Sequence, residues 1–212
     1  MQTVSLIYLE QVIKLPVEIA KWIPIPFQIS ALIGLQYWSI HSNRVGRVKA
    51  LYKGGTIWIS ACLIAMFLPP LASGFSLSSL NLESFKFLVL LAIILLVGFG
   101  AATAYLIPWS LLPDAIDADP EKPAGIYTAW MVLIQKIGIG ISVLLLGVLL
   151  SSSGYLSSNN CFSPENCLQQ PDSAITTIRI CMGLIPSLLI SIGLLIMKDW
   201  MNKDNNPTKI NL

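Results

Sequence analysis

Five stretches of this chain are long and nearly free of charge: residues 23–41, 55–74, 87–112, 125–150 and 174–197. Between Lys21 and His41, nineteen consecutive residues carry no charge. Lys136 breaks the fourth stretch, and Arg179 lies near the start of the fifth. A helix needs about 20 apolar residues to cross the hydrocarbon core of a bilayer, so each stretch reads as a span. Charge content agrees, because 11% of the 212 residues are charged, against about 25% in a soluble domain. The predicted fold is therefore an all-α membrane protein with about five full transmembrane helices. Residues 4–15 are too short and too charged to cross alone, and they read as the tail of a further helix. This divides the chain into a helix remnant and external loop at 1–22, a helical bundle at 23–200, and a tail at 201–212.

Orientation follows from the Lys/Arg count of the connections. Arg44, Arg47, Lys49 and Lys53, with Lys122, Lys198, Lys203 and Lys209, fall on one side, whereas the loop 151–173 has neither Lys nor Arg. The expectation is a multi-pass protein of the cell membrane with a cytoplasmic C-terminus. The start, MQTVSLIYLEQVIK, lacks the basic lead of a secretory signal. Cys62 and Cys181 sit in apolar segments as small hydrophobes. Cys161 and Cys167 share the polar loop CFSPENC, where a local disulfide is compatible with an external, oxidising location. A single histidine and no metal-type cysteine spacing argue against a metal centre. The net charge of +2 without a long basic run argues against nucleic acid.

Lys136 is the most informative residue. A charge at mid-membrane costs roughly 2.5–3.5 kcal/mol on insertion scales, so it is expected to face water or an acid. No Asp or Glu lies at that depth in the five spans, which places the expected acid on another polypeptide segment. Thr128, Gln135 and Ser142 recur every seven residues and stack on one side of the helix; Lys136 and Gly140 widen that polar arc. Ile134, Ile141 and Leu145 oppose it. Gly140 and Gly147 are read as close-packing positions. On the basic side, the acids Asp114, Asp117, Asp119 and Glu121 face Arg44, Arg47, Lys49 and Lys53, and ion pairs between them would latch a cytoplasmic gate. Trp109, one turn before the acidic loop, is either an interfacial anchor or a cavity wall.

The segments IPWSLLPDAID and GIYTAWMVLIQKIGIG, with Gly154-Tyr155, resemble the glycoside–pentoside–hexuronide:cation symporters. These include the melibiose permeases and lie within the major facilitator superfamily. SNRVGRVK is similar to that superfamily's D-R-x-G-R-[RK] loop signature, with Asn43 in place of the aspartate. The resemblance covers the whole chain and implies the family's C-terminal half, from the end of its seventh helix through its twelfth. It also implies that Lys136 lies beside a coupling-cation site (sodium or proton) and pairs with acids of an N-terminal half. By the same carry-over, Trp109 lines a solute cavity, while Asp114 and Asp117 help close the cytoplasmic side. The loop after Asp117 is shorter than the family's common form and lacks its basic cluster.

The resulting expectation is one half of a secondary active transporter that moves a small polar solute, such as a sugar or glycoside, with a cation. An N-terminal half would be supplied in cis or in trans. The alternative is a truncated, non-transporting membrane fragment or assembly partner. No Ser–His or paired-carboxylate arrangement points to an enzyme.

Overall fold

The computed structural model describes residues 2–71, 82–120, 124–156 and 170–198. Cys161, Cys167, Glu121, Lys122 and the 201–212 tail lie outside the described residues. Among the described residues every regular element is helical. Helix α1 (Gln2–Ile7) passes into a π-helical turn (Tyr8–Val12), and a short α2 (Val17–Ala20) leads to α3 (Pro24–Val45) and α4 (Arg47–Met66). Then come α5 (Leu82–Asp117), α6 (Ala124–Ser152), α7 (Asp172–Met182) and α8 (Leu184–Ile196).

Local chemistry sets these boundaries. Pro24 opens α3, where its missing N–H costs nothing. Gly46, at φ 94°, then separates α3 from α4 with a single residue in a conformation that side chains resist. The basic residues Arg47, Lys49 and Lys53 therefore sit in the first two turns of α4, so that helix starts well before residue 55. It stops at Met66, because Pro69 and Pro70 cannot continue it. The fifth span is broken at Gly183, three residues before Pro186, whose ring removes a helix hydrogen bond.

Helix α5 is the axis of the bundle, packed between α3 and α4. Lipid tails are as apolar as leucine, so close packing and hydrogen bonds must hold such helices together. Small residues supply the closeness: a Cβ added to Gly100 would lie 2.8 Å from the Trp58 nitrogen, and one on Gly54 would collide with Thr103. Hydrogen bonds cross the same seam. Trp38 Nε1 donates to the Phe99 carbonyl at 2.9 Å, and the Ser30 hydroxyl donates to the Leu95 carbonyl at 2.5 Å. The packing glycines are thus on α3, α4 and α5. Gly140 and Gly147, expected to serve that purpose, meet nothing within 4 Å of an added Cβ among the described residues. Spacing along α6 could not reveal that, among the described residues, no neighbour packs against them. Cys62 and Cys181 are both buried, as their apolar surroundings imply.

A second cluster closes the far end of α4. The Tyr8 hydroxyl donates to the Ala65 carbonyl. Arg179 Nη1, on α7, donates to the Met66 carbonyl at 2.7 Å and to Leu68 at 3.1 Å. The turn past α4 satisfies the Ile64 and Ala65 carbonyls through Phe67 and Leu68 N–H, and in an apolar setting the Met66 and Leu68 carbonyls need the guanidinium. Gly183 lets α7 and α8 come this close, since a Cβ there would lie 2.7 Å from that of Met66. Replacing Arg179 with methionine should cost about 1.5–3 kcal/mol, the worth of a hydrogen bond to a charged group. The expected readout is a lowered unfolding midpoint in detergent, with Arg179→Lys losing less than Arg179→Met.

Candidate substrate and ion pathway

Helix α6 carries the residues singled out by the charge pattern, and its setting differs from every other helix. It is held at its ends. The Tyr127 hydroxyl donates to Asp119 at 3.0 Å at one end, and Leu146 and Leu150 join the main apolar cluster at the other. Between them it stands open: Ile134 is 64% exposed and Leu144 is 67% exposed. Lys136 lies twelve residues into this 29-residue helix, on its exposed middle. The ammonium shares an open groove of about 750 Å³ with Thr128, Gly125, Ala129, Val132 and Leu133.

The hydroxyls of the polar arc have spent their protons. Thr128 donates to the Ala124 carbonyl at 2.9 Å, and Ser142 donates to Gly138 at 2.7 Å. Each therefore presents lone pairs outward, ready to accept from a solute or to approach a cation. Lys136 is the matching donor. Gln135 is exposed on the same helix but is not among the described residues lining the groove. Trp109 sits on α5, 43% exposed and one turn beyond Tyr105, and it too lies outside that lining. The groove joins Lys136 to Thr128; Gln135 adjoins Lys136 along α6, and Trp109 is carried by α5.

Of the four residues expected to form a gate, Arg47 and Asp114 meet in an ion pair. It ties the first residue of α4 to the last turn of α5, just after Pro113. Arg44 is exposed in the last turn of α3, and Asp117 ends α5. A separate apolar cavity of about 270 Å³ lies between α1, α3, α4 and α5, bordered by Leu9, Phe27, Trp58, Leu90 and Tyr105.

Some features were not anticipated from sequence. Arg179 was visible only as a charge near the start of a span. The signal that could have found its role is the Pro69-Pro70 stop, which leaves α4 carbonyls in need of a cation. Tyr155, past the end of α6, has its hydroxyl pushed above its ordinary pKa by burial and, to a lesser degree, by Glu10. That places the acid of the π-helical turn near the α6 terminus.

Helices α3 to α8, three of whose spans (84–117, 124–152 and 172–196) are long and apolar enough to cross a membrane, define a polytopic α-helical membrane protein. The architecture is a partial major facilitator fold. The chain belongs to the MFS/sugar transport protein family, whose profile matches residues 1–198. An uncharacterized symporter of Synechocystis is 28% identical over 178 residues, covering 82% of this chain and 30% of that protein. A sodium-dependent lysophosphatidylcholine symporter of Danio rerio is 27% identical over 174 residues, covering 79% of this chain and 29% of that protein. A sphingosine-1-phosphate transporter of Xenopus tropicalis is 24% identical over 175 residues, 80% of this chain and 29% of that protein. The chain thus spans about 30% of the length of the curated relatives it matches.

The Arg47 and Asp114 side chains are 38% and 60% exposed, so water screens their attraction. A double-mutant cycle with Arg47→Gln and Asp114→Asn, read by unfolding in detergent, should give a coupling of about 0.2–1 kcal/mol. A pair this weak can break during a conformational cycle; a coupling several-fold larger would mark it as a permanent brace.

Proposed function

We propose that this chain forms the C-terminal half of a melibiose-permease-like cation symporter, and that Lys136 is its coupling residue. The observation that carries this reading is the exposed Lys136 midway along an apolar helix, beside a hydroxyl that offers only lone pairs. Such a charge gains nothing from lipid and needs an acid or an aqueous path. Secondary transporters of this architecture bind solute and ion near the midplane, where two halves meet. The chain supplies one wall, and an N-terminal half in cis or in trans supplies the other, together with the carboxylate for Lys136. Thr128, Gln135 and Trp109 belong to the solute and ion path. Arg44, Arg47, Asp114 and Asp117 form the cytoplasmic gate, with the C-terminus on that side of the cell membrane. The sodium in the names of the lysophosphatidylcholine symporters favours sodium over the proton as coupling ion.

The substrate on this reading is a small polar solute such as a glycoside. A second reading is an amphiphile with an acyl chain, favoured by the apolar cavity of about 270 Å³ and by the lysophospholipid and sphingosine-phosphate relatives. A third is a non-transporting fragment or assembly partner, favoured by the 30% span of the relatives. An antibody against the C-terminal tail separates it: a native band at 23.2 kDa with no co-purifying partner would support that reading.

The direct test is sodium-gradient-driven uptake in proteoliposomes that hold the chain with an N-terminal half. A labelled glycoside and lysophosphatidylcholine are offered in parallel. Lys136→Ala should lower gradient-driven uptake by on the order of tenfold, while Ile134→Ala on the opposite face leaves it unchanged. Full coupled uptake by Lys136→Ala would end the proposed role of Lys136.

A further inference from the structure

The basic end of the α3–α4 hairpin carries His41 and Lys53, which the transport reading does not use, beside Arg44, which that reading places in the gate. The turn at Gly46 folds α4 back along α3, which brings Lys53 Nζ to 3.3 Å from His41 Nε2. Two basic side chains thus converge on one point. The His41 ring stacks on Tyr37, with centroids 5.4 Å apart and planes 13° apart, and it meets the edge of buried Trp38 at 5.6 Å. These contacts fix the imidazole in place. Arg44 lies one turn further on the same face, and Lys49 lies one turn before Lys53. Among the acids at this end, Asp114 is taken up by Arg47. Asp117 and Asp119 lie further along or past the end of α5, and Asp119 receives the Tyr127 hydroxyl.

The same helix face continues as an apolar strip. Ile29, Ile33, Tyr37 and Ile40 are 52%, 60%, 48% and 55% exposed, and their spacing aligns them with Arg44. From Ile29 to His41 is about 18 Å along the helix, at about 1.5 Å per residue. One leaflet of hydrocarbon is about 15 Å deep. Hydrocarbon-facing residues, an aromatic at the boundary and then a cationic cluster match the profile of a phospholipid from tail to head.

We infer that His41, Lys53 and Arg44 form a binding site for the phosphate of an anionic phospholipid whose acyl chain lies along Ile33 and Ile40 of α3. The occupant is a membrane lipid rather than a soluble phosphate, because the apolar strip is continuous with the cationic end. Clustered Lys and Arg beside a span attract anionic headgroups. The site stands independently of whether Lys136 couples transport.

The test uses the purified full chain, incubated with equal amounts of phosphatidylglycerol and phosphatidylcholine and read by native mass spectrometry. The wild type should retain phosphatidylglycerol preferentially, and rising salt should erode that preference. Removing each charge should cost about fivefold in retention, so Lys53→Gln with Arg44→Gln should nearly abolish the preference. Lys21→Gln, remote from this cluster, should leave it intact. Equal retention of the two lipids by the wild type would overturn the site, and that readout needs no variant to fold. Equal loss on Lys21→Gln would overturn it as well, by showing only general charge attraction. Displacement by soluble glycerol phosphate would show that the acyl strip plays no part, and would overturn the assignment to lipid.

Discussion

The bilayer offers no water to a backbone carbonyl, so a helix that stops short must draw its donors from elsewhere in the protein. Prolines stop α4; the Leu68 N–H turns back to the Ala65 carbonyl at 3.3 Å, while the Met66 and Leu68 carbonyls draw their donor from another helix. Tyr8 comes to them from the π-helical turn and Arg179 from α7. One helix terminus therefore gathers the first and the last described segments of the chain around it. The π-helical turn places Tyr8, and Gly183 gives α7 the clearance to deliver the guanidinium. Both irregularities serve the same set of lone pairs.

With that end closed, the molecule divides into two mechanical parts. Helices α3, α4 and α5 are sealed by glycine contacts and by side-chain donors aimed at backbone carbonyls into one packed block. Helix α6 has almost no such seal along its middle, and its surface is open to whatever lies beside it. Residues that must meet changing partners are drawn from loosely held elements. Lys136 and Thr128 lie on α6, in its open middle, rather than in the sealed block, which suits the role proposed for them above.

Much of this was legible in the sequence, for identifiable reasons. Three of the five expected spans recur among the described residues as helices long and apolar enough to cross a membrane. They showed because charge is expensive in hydrocarbon, and Lys136 stands out because it violates that rule. The meeting of Arg47 with Asp114 was foreseen because opposite charges gathered on connections assigned to one side. Long-range partners were not legible. Arg179 bonds a carbonyl 113 residues away, and nothing local to either position encodes the meeting. The glycines misled for a related reason. A small residue permits a close neighbour but does not supply one, so Gly140 looked like Gly100 until the neighbours were in place. The single-residue link at Gly46 was hidden too, because the basic residues around it read as a loop while forming helical turns. Within the site, the pattern along α6 could name Lys136 and Thr128 but could not say that they border one groove with Ala129, Val132 and Leu133.

The two anchors of α6 have a mechanical consequence. With its ends tied and its middle unpacked, α6 is held in position while the side chains along its middle keep their rotational freedom. Lys136 can change what its ammonium faces by rotation about its own side-chain bonds, with Leu150 and Tyr127 left in place. The sealed block need not deform for the cation to change what it faces. Movement of the charge is thereby separated from movement of the scaffold, and a membrane protein built this way can redirect one cation without breaking a backbone hydrogen bond.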